Sequence, residues 1–217
     1  MSKDSVEIFQ IVLCWFAKNK RDFPWLETQN PYYIFLAEVL LRRTQASRVV
    51  GTYEQLVRKY PTPEMLSQAN IQELRRMFEF LGLTKRADFL VESAKIILKD
   101  YGGQVPRTVS EIATLPGMGI YSSIAVACLA FNEPVPMIDE SVGRLLRRAL
   151  NIGGREPAYS DKSLLKEVER IMPLKRAREF NLGLLDIAAA YCHHKNPDSV
   201  NCPLHEICSF HLSQVRK

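Results

Sequence analysis

Nowhere does the chain carry an apolar run approaching the roughly 20 residues that cross a bilayer. Its opening, Met1-Ser2-Lys3-Asp4-Ser5, lacks the build of a secretory signal. The expectation is a cytosolic or nucleoid-associated protein with no membrane partner. Cysteine is sparse and odd in number, five in 217 residues, which argues against a disulfide-paired secreted scaffold. No low-complexity linker or tandem repeat interrupts the chain, and no series of alternating apolar and polar residues marks a sheet. Nor is there a large excess of one charge. The 29 Lys and Arg against 24 Asp and Glu leave +5, which is compatible with a nucleic-acid partner without requiring one.

What is present is helical periodicity. Apolar residues recur at three- and four-residue spacing in 34–41, 46–59, 71–81, 87–99, 121–131 and 141–150, after an amphipathic start over 6–16. Proline and glycine punctuate these stretches at Pro31, Pro61, Pro63, Gly82, Gly102, Gly103, Pro134, Gly153, Gly154 and Pro173. Thr62 and Ser110 stand near helix starts, followed by Glu64 and Glu111. The pattern predicts an all-α protein of ten to twelve short helices. Cys14 and Cys128 lie in apolar stretches and are expected in the core. After Asn181 the composition shifts: all four histidines and Cys192, Cys202 and Cys208 gather near the end. In a reducing compartment such thiols read as metal ligands before disulfides.

Three features carry chemistry. Leu115-Pro116-Gly117-Met118-Gly119-Ile120-Tyr121 lies between two helical patterns. Its glycines permit a tight turn, and the helix that follows opens with backbone N–H groups able to hold a phosphate without a basic side chain. Asp139 follows Val135-Pro136-Met137-Ile138 at a new helix start. There a carboxylate can cap the helix, or stabilise positive charge as it develops on a sugar, and the two roles are compatible. Glu38 interrupts the apolar run Ile34–Leu41, where a buried charge would be costly without a purpose.

The hairpin string, with Asp139 eighteen residues after Tyr121, resembles the helix-hairpin-helix DNA glycosylases with a Gly/Pro-rich loop and aspartate. Endonuclease III and the MutY-type adenine glycosylases belong to that family. The resemblance runs from Phe23-Pro24-Trp25 to Cys208. It implies that Leu115, Gly117 and Gly119 grip DNA, that Asp139 is catalytic, and that Glu38 does acid–base work in the base pocket. It also implies two helical lobes. One is a six-helix barrel domain over 24–133, and the other joins residues 1–23 to 134–217. A DNA-binding cleft is expected between them, with Asp139 at their junction. Bifunctional members carry a lysine where Tyr121 stands. A tyrosine forms no Schiff base, so the expected enzyme releases a base and leaves an abasic site.

Arg21–Trp25, Glu38–Thr44 and Tyr121 look most like the archaeal thymine-DNA mismatch glycosylases, which remove thymine or uracil opposite guanine. The MutY type, which removes adenine, is the rival. It carries glutamines at Arg42 and Arg43, a small residue at Tyr121 and a further C-terminal domain. By the same resemblance Arg42, Arg43 and Leu83 are candidates to contact the widowed guanine or fill the hole left by the flipped base. Family members end in C-x6-C-x2-C-x5-C, which holds a [4Fe–4S] cluster. Here the spacing is intact, but Ser199 replaces the second cysteine between Cys192 and Cys202. Ser199 itself, water, or one of His193, His194 and His205 would then complete the site, or the tail holds by packing alone. The expected partner is double-stranded DNA with a mismatched or damaged base, bound by a monomer. A DNA-binding module without catalysis and a glycosylase-lyase are the remaining alternatives.

Overall fold

The helix α2, Pro31–Leu41, is apolar on every side, and eight of its eleven residues are buried. Asn30 starts it by accepting the Tyr32 N–H at 3.0 Å, and Pro31 fits the first turn, where no N–H is needed. At its other end the guanidinium of Arg86 donates to the carbonyls of Val39 and Leu40 at 2.7 and 2.8 Å, and also to that of Arg42. A helix this apolar forms the centre of a core, and each fully buried Leu, Ile or Phe stabilises it by about 1.5–3 kcal/mol.

The computed structural model describes residues 3–42, 44–154 and 157–215. Arg43 lies outside the described residues. Among those described there are twelve α-helices and three short 3-10 turns, with no strand, which is the all-α architecture expected. No helix is long and apolar enough to cross a membrane. The chain divides into two compact units, one of Asp22–Phe131 and one joining the chain up to Arg21 with Asn132 onward.

The Asp22–Phe131 unit holds α2, α3 (Ala46–Lys59), α4 (Pro63–Ser67), α5 (Ile71–Glu79), α6 (Lys85–Tyr101), α7 (Val109–Ile112) and α8 (Ile120–Phe131). These are seven segments where six were expected, and α4 and α7 are single turns. α2 packs against α3, α6 and α8. Thr62 caps α4 as expected. Ser110 and Glu111 stand in the first turn of α7, as expected. Thr108, not Ser110, is the cap, and with Glu111 it forms a reciprocal capping box.

The other unit holds α1 (Lys3–Asn19), α9 (Glu140–Leu150), α10 (Lys162–Ile171), α11 (Ala177–Ala190) and α12 (Ser209–Val215). α11 packs on α1 and α9. Gly183 makes the α1 contact possible, because a Cβ there would sit 2.7 Å from Val12 Cγ1. Cys128 is buried as expected, but Cys14 is exposed. Val12, Leu13 and Phe16 take the buried stripe of α1, which turns position 14 outward. The ion pair of Arg21 with the buried Asp186, at 2.6 Å, fastens the end of this first segment to α11.

Candidate active site

The hairpin between α7 and α8 is held by its own backbone and by three neighbours. Leu115 is 1% exposed, so its side chain anchors the turn in the core, and any part it plays toward DNA falls to its backbone. Its carbonyl accepts the Met118 N–H at 3.0 Å. The Ser93 hydroxyl donates to the Pro116 carbonyl at 3.1 Å, and Arg42 donates to the Gly117 carbonyl at 3.2 Å. The two glycines of the motif differ. Gly117 has φ of +82°, and a Cβ there would lie 2.9 Å from the Phe89 ring. Gly119 has no positive φ, and a Cβ on it would meet nothing within 4 Å. Its carbonyl accepts both the N–H and the hydroxyl of Ser123 at 2.9 Å, which starts α8. A Cβ at Gly119 would stand in open space, at a helix end whose first N–H groups lack intrahelical acceptors.

This difference separates two substitutions. Gly117→Ala is expected to lower stability by about 1–3 kcal/mol, through the left-handed φ and the collision with Phe89. Gly119→Ala is expected to leave the melting temperature unchanged while weakening duplex binding. Thermal melting and fluorescence-anisotropy titration with a DNA duplex measure both. Equal melting temperatures for the two variants would overturn the distinction.

Glu38 lies on the buried α2 and is 8% exposed. Burial alone pushes its carboxyl up to about 8, so the side chain keeps its proton at neutral pH. Tyr121, half-buried, is the second residue of α8, the helix packed on α2. The Arg42 bond thus ties the end of the Glu38 helix to the turn that precedes Tyr121. Leu83 occupies a tight helix exit. The Leu83 N–H bonds the Phe78 carbonyl and the Gly82 N–H bonds that of Glu79, with Gly82 at φ of +67°. That is the paired pattern of a Schellman ending with glycine in the left-handed position. Leu83 is half-buried there, and the same turn exposes Phe80, whose ring lies 5.6 Å from the Arg48 guanidinium.

Asp139 belongs to the other unit and is the N-cap of α9. Its Oδ1 accepts the Ser141 N–H at 2.9 Å, the Val142 N–H at 2.8 Å and the Ser141 hydroxyl at 2.6 Å. All these bonds end on one oxygen, so the cap fixes the carboxyl while none of them engages Oδ2. The extended segment before it is clamped by Asn181 of α11, which is 1% exposed. The Asn181 amide accepts the Met137 N–H at 2.9 Å and donates to the Val135 carbonyl at 3.0 Å. Sequence reading missed Asn181, Arg86, Ser93 and Phe80. Their one visible signal is polarity inside an apolar helical pattern, in Asn181 and Ser93.

In this same unit Cys192, Cys202 and Cys208 are unpaired and buried, and with Ser199 they line a common pocket. Burial pushes the Cys202 thiol up to about 11, and the neighbouring sulfurs of Cys208 and Cys192 act in the same direction. Arg148 donates to Cys192 Sγ at 3.3 Å and lies over the Phe210 ring at 5.0 Å. Among the described residues no three His, Cys, Asp or Glu side chains converge closely enough for a single metal ion. Three soft sulfurs around one pocket are the donor chemistry that an iron–sulfur cluster would take.

Residues 36–170 match the HhH-GPD superfamily of base excision DNA repair proteins. A curated relative from Methanothermobacter thermautotrophicus, named thymine/uracil-DNA glycosylase, is 35% identical over 201 residues, covering 92% of this chain and 91% of its own. An adenine DNA glycosylase from Mycobacterium tuberculosis is 33% identical over 195 residues, covering 89% of this chain but 64% of its own. The solved structure of a thermostable thymine-DNA glycosylase superposes with a TM-score of 0.89 at 34% identity, covering 97% of this chain and 98% of that one. With the hairpin, the capping aspartate and the all-helical architecture in place, this chain belongs to the HhH-GPD superfamily of base excision DNA repair proteins.

Proposed function

We propose that the chain is a monofunctional DNA glycosylase that hydrolyses the N-glycosidic bond of thymine or uracil mispaired with guanine in double-stranded DNA. The observation that carries the lyase-free part is Tyr121. The helix position after the hairpin presents a phenol, which cannot form the Schiff base that leads to strand nicking. The thymine/uracil target is supported by likeness along nearly the whole length of a relative with that name, where the adenine glycosylase extends well beyond the match.

The roles follow from the groups. The hairpin amides around Gly119 take a backbone phosphate, so affinity falls with salt. A mismatched base costs less to unstack than a paired one, and in this reading Leu83 and Arg42 offset part of that cost in the duplex. Glu38 donates its proton to the leaving base. Asp139 stabilises the positive charge on the sugar as the bond breaks. The base leaves carrying the Glu38 proton, water adds its hydroxyl to the sugar C1′, and the water's other proton restores the Glu38 carboxyl. Cys192, Cys202 and Cys208 would hold a [4Fe–4S] cluster that, when bound, would cross-link the C-terminal segment to the end of α11 without entering the chemistry.

Single-turnover excision on labelled duplexes with G·T, G·U, G·A or 8-oxoguanine·A, each analysed with and without alkali, tests the reading. Strand scission at G·T and G·U only after alkali is expected. Scission confined to adenine-containing pairs would move the protein to the adenine class, and scission without alkali would make it a lyase.

A further inference from the structure

Resting on the cluster reading above, we infer that the Ser199 hydroxyl oxygen is the fourth ligand of the iron–sulfur site and that His211 is its positioning residue. One corner of the site is thereby an oxygen corner from which iron is selectively lost.

Ser199 lines the same pocket as the three cysteines. Its Oγ shares a hydrogen bond with His211 Nδ1 at 3.1 Å, which fixes the direction of the oxygen's remaining lone pairs. The other histidines are committed elsewhere. His193 and His194 are exposed and are not among the residues lining the pocket, and their carbonyls accept from Arg148 at 2.7 and 3.2 Å. His205 Nδ1 is bonded to the Cys202 carbonyl at 2.9 Å, and its ring abuts that of His211 edge-on at 5.9 Å. Asp198 also lines the pocket, but both its carboxyl oxygens accept from the Asn201 amide, at 3.1 and 3.0 Å; Ser199 is the lining oxygen whose partner is a histidine ring.

The four corners are unequal in two respects. Sulfur matches soft iron–sulfur chemistry better than a hydroxyl oxygen does. The three cysteines are also 6–8% exposed, whereas Ser199 is half-buried. The Cys192 side is further buttressed by Arg148, which in turn lies over Phe210. Both inequalities direct loss of iron to the Ser199 corner. With ferricyanide as oxidant, a [4Fe–4S]²⁺ cluster gives up one electron to form ferrocyanide and releases one Fe²⁺, leaving [3Fe–4S]⁺.

The experiment uses the full chain purified anaerobically. Iron and acid-labile sulfide per chain are measured before and after one equivalent of ferricyanide, with electron paramagnetic resonance as the readout and thermal melting as the check on folding. Wild type is expected to lose one iron and acquire the three-iron signal, while Ser199→Cys keeps all its iron and remains silent. Ser199→Ala is expected to carry the three-iron form as isolated. His211→Ala is expected to release the unique iron about tenfold faster than wild type, the size of effect typical of an outer partner. Equal iron loss from wild type and Ser199→Cys would overturn Ser199 as a ligand. Wild-type kinetics in His211→Ala would overturn the positioning role. Absence of iron and sulfide even after anaerobic reconstitution would overturn the cluster itself, an outcome distinct from both.

Discussion

Asp139→Asn is expected to bind a G·T duplex like wild type, melt at the same temperature, and excise base at least about a hundredfold more slowly. The three measurements separate because the residue does two jobs through different parts of one carboxyl. Asparagine is as good an N-cap as aspartate, and its Oδ1 can take over the bonds from the Ser141 and Val142 amides. What it cannot supply is negative charge opposite a sugar that is becoming positive. Capping alone would predict no kinetic effect, and a purely structural role would lower the melting temperature along with the rate. Undiminished single-turnover excision by the variant would remove Asp139 from the mechanism.

Glu38→Gln is expected to act on rate and stability in opposite directions. Loss of a proton donor costs about 10²–10⁴-fold in excision, and the wild-type rate is expected to decline above about pH 8, where Glu38 ionises. Stability moves the other way. In the unfolded chain the carboxyl loses its proton near 4.5, whereas in the folded chain it holds it up to about 8. Between those values the native state binds more protons, so wild-type stability falls as pH rises through the window and levels off above it. Glutamine has no proton to lose. The variant should match wild type below pH 4.5 and exceed it above pH 8 by up to roughly 5 kcal/mol, an upper figure that relaxation of the site will reduce. Urea melts at pH 4.5, 6 and 8.5, with excision rates over the same range, would check both. A wild-type stability flat across that window would show that Glu38 is ionised in the fold.

Much of this was legible in the residues. Apolar periodicity placed α2, α3, α5, α6, α8 and α9 to within a few residues, because burying a stripe leaves a spacing that survives in the sequence. The hairpin and the cap at Asp139 were visible as glycine, proline and acid at helix ends. What stayed hidden was pairing over long separations. Arg86 reads as a surface cation of α6, yet it closes the carbonyl end of the Glu38 helix. Asn181 reads as a helix interruption, yet it holds the strand-like lead into Asp139. Motif letters also conceal unequal duties. Gly117 is required by backbone and by Phe89, Gly119 by neither, and Leu115 belongs to the core. Thr108 and Ser110 carry the same hydroxyl, and only the turn geometry selects between them as cap.

The pinning of the first helix to α11 has a consequence for how the chain comes off the ribosome. Arg21 and Asp186 are 165 residues apart, and at typical synthesis speeds roughly ten to thirty seconds separate their emergence. During that interval the amphipathic face of Val12 and Phe16 exists without Gly183 to receive it, while Asp22–Phe131, unbroken in sequence, already has all its own partners. Nascent chains stalled once all of Asp22–Phe131 has cleared the ribosome, but before Gly183 has, should therefore protect the hairpin from protease while leaving the first helix open to cleavage.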